Sequence, residues 1–311
     1  MSPLVATIVF VGAGLLSGTF VFFSIKVAHR FNFLDTPDSE RKNQDRPIPK
    51  LGGVAVAIAF TLTVLVLLAV DGRSDELFLS LSVLIPALGL AVVGFFDDRG
   101  NLNPYFRLIM QAAFGLLAWL LGTRFEVTGI AVLDALGFVV WVMLIVNGIN
   151  LLDNSDGLAA STVLVSSVGA AIIAVIYGQT LVSILALALA GAAAGFLGHN
   201  WFPARVYMGD AGAYFLGFLL AVLAVRLQPE QATVVAGMAI AILIVLLPIV
   251  DTIYVVTKRL ADGIHPFTAG RDHLSHVLQG NGRSVPGSTL LLQGVSILGV
   301  SGAVAIAVIA R

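Results

Sequence analysis

An all-α, polytopic integral membrane protein with about ten transmembrane helices is the fold class that this chain predicts, and three observations predict it. Of its 311 residues, 58% are hydrophobic and only 11% are charged, against roughly 25% charged in soluble domains. The apolar residues gather into runs of the roughly 20 residues that a helix needs to cross a bilayer. Between the runs lie short polar segments rich in Gly, Pro, Asp and Asn, which leave no room for a separate soluble domain, so residues 1–311 read as a single transmembrane domain.

The first run, 4–27, lacks a basic leader and a cleavage site and is long enough to span, so it reads as a retained helix. Further spans are expected at 51–70, 77–96, 104–123, 130–152, 158–177, 181–198, 212–227, 232–254 and 287–309. The 212–227 run is short, and Arg107 and Asp134 lie inside or near spans. No internal repeat is visible, which counts against a transporter built from inverted repeats. A net charge of −1 argues against a nucleic-acid partner, and the absence of Cys removes disulfides and thiolate metal sites.

Ten helices sort the loops into two sets. The set made of 28–50, 97–107, 153–157, 199–211 and 255–286, with Lys26 at a helix end, holds thirteen of the seventeen Lys and Arg residues. The excess of basic residues predicts that this set faces the cytoplasm and both termini lie outside. The same face receives Asp97, Asp98, Asp153, Asp156, Asp210 and all five His, so one cytoplasmic-face site is expected.

Three acidic clusters supply its chemistry. Asp97-Asp98 closes one apolar run; alone, such a pair is a weak signal that fits a helix-ending turn or a ligand pair for a hard cation. Asn147, Asn150, Asp153 and Asp156 recur every third residue, which predicts one polar helical stripe facing a cavity. Met208-Gly209-Asp210-Ala211-Gly212 precedes a span whose free N–H groups would attract phosphate; as a helix N-cap, Asp210 would need no further role. Ionisable groups at membrane depth are costly and need a counter-charge, for which a divalent metal is the simplest choice. In the loop 257–286, Arg271, His273 and His276 could clamp a diphosphate. Arg41, Lys42, Arg46 and Lys50 lie close to the membrane in the first loop, where they could also simply anchor it to anionic lipid.

In order along the chain, these motifs resemble those of the polyprenyl-phosphate N-acetylhexosamine-1-phosphate transferases, of the glycosyltransferase family 4 type, which include phospho-N-acetylmuramoyl-pentapeptide transferase. The resemblance rests on Asp35-Thr36-Pro37 through Gly53, on Phe95-Phe96-Asp97-Asp98, and on Asn147 to Gly157. It continues through Asn200 with Pro203-Ala204 and Met208-Gly209-Asp210, then Pro248 with Asp251, and His273-Leu274-Ser275-His276. Pro47-Ile48-Pro49-Lys50-Leu51-Gly52-Gly53 is more similar to the N-acetylglucosamine branch than to the muramoyl-pentapeptide branch. Three positions depart from the pattern: Asn154 stands where the family usually has Gly, Ser275 where it usually has a third His, and Gly270 where an acid is common.

The resemblance implies transfer of a sugar-1-phosphate, N-acetylglucosamine-1-phosphate above others, from a UDP-sugar to polyprenyl phosphate, with release of UMP and dependence on Mg²⁺ or Mn²⁺. It implies Asp97, Asp98, Asp156 and His273 as the catalytic set, with Asp97 orienting the lipid phosphate or taking its proton. Asp210 with Asp98 would hold the metal; Lys42, Arg46, Asn150, Asp153, Asn200, Arg271 and His276 would bind substrate. Ser275, uncharged, is expected to contribute little. The implied location is the inner (plasma) membrane, multi-pass, with the site facing the cytoplasm; monomer and homodimer both stay open. The alternative class is a cation- or proton-coupled transporter, which would carry its acids mid-span and on both sides.

Overall fold

The computed structural model describes residues 1–37, 46–70, 74–100, 102–124, 126–227, 233–268 and 270–311. Helix α1 (Pro3–Arg30) leads into a small antiparallel hairpin, β1 (Leu34–Asp35) and β2 (Ile48–Pro49), in the register Leu34↔Pro49 and Asp35↔Ile48. The rest is helical: α2 (Gly52–Val70), α3 (Ser74–Gly100), α4 (Pro104–Leu120), α5 (Ala131–Leu152), α6 (Leu158–Ile176), α7 (Thr180–Asn200) and α8 (Gly209–Arg226). After these come α9 (Val234–Ile244), α10 (Leu246–Ala261), the short α11 (Leu274–Gly280) and α12 (Val285–Ile309). Among the described residues, eight helices are long and apolar enough to span a membrane; α9 with α10 forms a ninth, broken span, and α4 is a shorter apolar helix. The protein is an all-α polytopic membrane protein; among the described residues, ten apolar segments overlap the ten expected spans, and eight of them, or nine with the bent pair, are long enough to cross a membrane.

Local chemistry marks several starts. The Ser2 hydroxyl accepts from the Val5 N–H ahead of Pro3, and the Asn103 side chain accepts from the Tyr105 N–H ahead of Pro104. Thr233 and Ser284 cap α9 and α12 in the same way. Each cap satisfies an N–H that the first turn of a helix leaves free, and Pro in that turn lacks the N–H that would need a partner.

The ninth span corrects the expectation of a continuous helix over 232–254. The chain breaks at Val245 and α10 leaves α9 at 75°. Pro248 explains the break, because it has no N–H to donate to the Ile244 carbonyl and its ring crowds that group.

Helix α8 is the axis of the fold. It is the least apolar of the candidate spans, yet every residue from Ala211 to Val225 is buried. It packs against α2, α3 and α5, so protein surrounds it where lipid would demand a greasier surface. By contrast, α1 turns Leu4, Ile8, Leu15 and Phe22 outward, as a lipid-facing helix does. The N-terminus of α8 therefore opens at one face of the bundle, between the ends of α3 and α5.

Candidate active site

Gly209 begins α8 with φ +70°, and a Cβ there would lie 2.6 Å from Asp98 Oδ2, so only glycine lets the carboxylate come this close. Asp98 accepts from the Asp210 N–H at 3.0 Å and the Ala211 N–H at 3.1 Å. A carboxylate on the free N–H groups of a helix start is favoured by both hydrogen bonding and the helix dipole. Gly94, one turn before Asp98, permits the contact: a Cβ there would meet the Asp210 carbonyl oxygen at 2.4 Å. Asp210 itself accepts from the Asn150 side-chain amide. Asp153 ends α5 and accepts from the Gly209 N–H. Burial pushes its pKa well up, and the charges of Asp210 and Asp98 push it further. Three carboxylates from three helices thus face one another.

Asp97, the neighbouring residue, looks the other way. Its buried carboxylate accepts from the Leu102 N–H at 2.8 Å, the Arg107 guanidinium at 3.0 Å and the Tyr214 hydroxyl at 2.9 Å. Helix α3 runs on through Gly100, so the pair is not a turn after the helix: the last turn of α3 sends one acid toward α4 and the other to the start of α8.

Lys50 follows β2 and pairs with Asp35 of β1 at 2.8 Å. The hairpin exit is stitched to the segment before α8 by Tyr207 N–H to Pro49 C=O, Gly52 N–H to Tyr207 C=O and Gly53 N–H to Met208 C=O. Partial burial lowers the Lys50 pKa, but the Asp35 carboxylate, with Asp98 and Asp210 behind it, more than offsets this and raises it. The ammonium stays charged beside the acid cluster.

The expected polar stripe on α5 divides. Asn147 donates to Gln111 of α4 and to the Met143 carbonyl, while Asn150 faces Asp210. Gly157, at φ +73°, closes a turn that takes Asp156 off the helix. Asp156 accepts from the Ala204 N–H at 2.9 Å, and burial raises its pKa. Asn200 is buried and braces two backbones, accepting from the Gly157 N–H and donating to the Val206 carbonyl. Both residues thus shape the floor of the site and hold the 153–157 turn to the 204–206 segment. Arg46 is exposed ahead of β2, and Lys42 lies outside the described residues.

Above the acids sits α11. His273 precedes its first turn and contacts Asp251 of α10, Nδ1 to Oδ2, at 3.1 Å; the other Asp251 oxygen accepts from the Leu274 N–H at 3.0 Å. Arg259 is buried in α10 and grips Asp272 with two parallel hydrogen bonds of 2.7 and 2.8 Å, which holds the Asp272 pKa down. His276 is pushed down to about 4 by burial and by the charges of His273 and Arg271, which favours the neutral imidazole, and among the described residues its buried Nδ1 has no hydrogen-bond partner. Of the basic groups expected to clamp a diphosphate, Arg271 is exposed. Ser275, expected to matter little, is 1% exposed and donates to the Asn154 side-chain oxygen at 2.6 Å.

Lys50, Arg107, Tyr214, Asp251 and Arg259 are the site residues that motif reading passed over or left without a role. A signal existed for Asp251 and Arg259, since charged residues in an apolar segment call for partners. Nothing local marks Tyr214, which is one of three aromatics in α8.

Beyond Arg107, α4 continues beside α5, and between them runs an entirely apolar groove of about 280 Å³ lined by Ala112, Ala113, Leu116, Ala135, Leu136 and Val139.

Among the described residues, no three His, Cys, Asp or Glu side chains close into a ready-made cation cage. Mg²⁺ does not require one: it binds through one or two carboxylates and completes its shell with water and phosphate oxygens. The repelling oxygens of Asp98, Asp153 and Asp210 fit that ion by donor type and by charge.

The family model for Glycosyl transferase family 4 matches residues 80–228, a segment that contains Asp97, Asp98, Asp153, Asp156 and Asp210. A Bacillus subtilis (strain 168) protein named "Probable undecaprenyl-phosphate N-acetylglucosaminyl 1-phosphate transferase" is 28% identical over 276 residues, covering 86% of this chain and 75% of its own length. The undecaprenyl-phosphate alpha-N-acetylglucosaminyl 1-phosphate transferase of Escherichia coli (strain K12) is 27% identical over 292 residues, covering 85% and 74%. A phospho-N-acetylmuramoyl-pentapeptide-transferase of Desulforudis audaxviator is 34% identical over 245 residues, covering 68% and 73%. With its acids gathered from α3, α5 and α8 as described, the chain belongs to glycosyl transferase family 4 and is a membrane-embedded phosphotransferase.

Proposed function

We propose that the protein transfers N-acetylglucosamine-1-phosphate from UDP-N-acetylglucosamine to polyprenyl phosphate, yielding polyprenyl-diphosphate-N-acetylglucosamine and UMP. The observation that carries this reading is the convergence of Asp98, Asp153 and Asp210 at the α8 N-terminus, between the cations Lys50 and Arg107. Two anionic phosphates must meet, so the site has to supply positive charge and orientation. Asp98 and Asp210 would hold Mg²⁺, which when bound neutralises phosphate charge at this point.

The chain's own groups do the rest. An oxygen of the acceptor phosphate attacks the sugar-bearing phosphorus of the donor; the bond from that phosphorus to the UMP oxygen breaks, and UMP leaves with the electron pair. A phosphate monoester loses its second proton near pH 6, so the acceptor is already an effective nucleophile at neutral pH. Asp97 then serves by fixing Arg107, with Tyr214 and the Leu102 N–H fixing Asp97 in turn. The acceptor's isoprenoid chain lies in the α4–α5 groove, whose far residue Leu116 is nine positions along α4 from Arg107, about 14 Å at a helical rise of 1.5 Å per residue. Neutral His276 offers its unpartnered Nδ1 to the donor, and Arg271 meets its diphosphate.

Residues 1–311 act as one transmembrane domain in the inner membrane, with this face toward the cytoplasm, where a UDP-sugar is available. One experiment tests reaction, metal and orientation together. Sealed inside-out vesicles containing the protein, given radiolabelled UDP-N-acetylglucosamine, polyprenyl phosphate and Mg²⁺, should accumulate label in the organic phase. Right-side-out vesicles should not, and chelation should abolish the signal. No label from either vesicle type after detergent opening would defeat the reaction; label only from right-side-out vesicles would reverse the orientation.

A further inference from the structure

Helix α11 has seven residues, too few to be stable alone in water, where isolated helices shorter than about 12–15 residues are marginal. Tertiary contacts must hold it: it packs against α12, Leu274 and Leu278 lie against the apolar core, and two sets of polar contacts fix its position. Its start is tied to α10 by Asp251, through His273 and the Leu274 N–H. Its body is tied to the turn after α5: Ser275 donates to Asn154 at 2.6 Å, and one helical turn later Gln279 donates to the Ser155 hydroxyl at 3.3 Å. Asn154 is itself oriented, because its side-chain N–H group donates to the Leu151 carbonyl. Its oxygen is thereby turned toward Ser275; a flipped amide would set oxygen against oxygen. Asn154 directly follows Asp153, and Ser275 directly precedes His276. Two of the positions where this chain departs from the resembled pattern, 121 residues apart, therefore meet in one partly buried hydrogen bond that joins the turn beside the acid cluster to α11.

We infer that Asn154 and Ser275 are a matched positioning pair that docks α11 over the acid cluster and so sets affinity for the sugar nucleotide. The inference rests on the proposed reaction only for the identity of that ligand. The pair does not touch reacting atoms; it works through the placement of His276 and Arg271. Ser275 is buried and directly contacts Asn154, so the two side chains are matched as donor and acceptor.

The test reads docking and catalysis separately in the full-length protein. Arg271 and Arg283 flank α11 and are exposed, so tryptic cleavage at these sites, without any substrate, reports undocking. Ser275→Ala and Asn154→Ala should each speed cleavage and raise the donor KM by about five- to tenfold, the size expected for one lost hydrogen bond, with kcat within about twofold. The double variant should be no worse than either single one, since both remove the same bond. Ser275→Thr, which keeps the hydroxyl, should stay near the parent. Ser275→His alone should undock α11, and adding Asn154→Gly should restore docking by making room. Multiplying effects in the double Ala variant, or unchanged cleavage in the single ones, would overturn the pairing. If the parent chain shows no sugar-nucleotide turnover, the proposed reaction fails, and the cleavage measurements still decide whether the pair exists.

Discussion

Asp134 and Asp153 stand at opposite ends of α5, and both are acids at the boundary of an apolar span, yet their surroundings differ in kind. The Asp134 carboxylate is buried and accepts from the Val127, Thr128 and Gly129 N–H groups and the Thr128 hydroxyl. All of its donors lie within seven residues, so the local chain satisfies it completely as it enters the helix. Asp153 meets Asp98 of α3 and Asp210 of α8, like charges brought from elsewhere in the sequence. An acid at membrane depth is thus not by itself a mark of function. The mark is an acid whose neighbours are other acids, because that arrangement costs free energy that only a counter-charge would relieve.

The comparison can be broken most sharply at Asp210. Asp210→Asn removes one of the three mutually repelling charges, so turnover should fall by about 10²–10³-fold, as when an electrostatic stabiliser of a transition state is lost. Thermal stability in detergent should hold or rise, since a like charge has gone. A variant that melts much earlier than the parent would make Asp210 a structural acid like Asp134.

Tyr214→Phe comes next in size. It deletes one hydrogen bond to Asp97 and leaves Arg107 and the Leu102 N–H in place, so kcat should fall about tenfold at unchanged donor KM, consistent with loss of a bond to a charged group. Steady-state kinetics with saturating acceptor measure this, and an unaltered kcat would remove Tyr214 from the chain of positioning contacts.

The smallest catalytic effect is expected at the other end of α5. Asp134→Ala leaves three N–H groups without their acceptor and should lower stability by about 1–3 kcal/mol, read as an earlier thermal transition. Its kcat per folded molecule should stay within about twofold. A catalytic loss approaching that of Asp210→Asn would erase the distinction between the two ends.

Much of the fold was legible beforehand. Ten apolar runs match ten apolar segments, and Asp210 lies at a helix start, as the Gly-Asp-Ala-Gly motif suggested. Reading Asn147 to Asp156 as one stripe failed because Gly157 and the turn before it end the helix at Leu152, and because Asn147 found Gln111 on another helix. The continuous ninth span failed at Val245, though Pro248 was present to signal the break. The contact of Ser275 with Asn154 was not legible, because an uncharged residue in a loop carries no sign of its partner.

Amino-acid composition and order determined the membrane class, the apolar segments and the motifs that identify the family, since hydropathy is a property summed along a local stretch of chain. Only the tertiary structure decided which acids meet. Asp98 and the Asp210 N–H are 112 residues apart, and Asn150 and Asp210 are 60. Asp97 and Asp98 are adjacent in sequence but have different partners, because successive residues on a helix point about 100° apart. Long-range pairing follows from how helices pack, at Gly94 and Gly209 above all, and no single stretch of sequence contains that information.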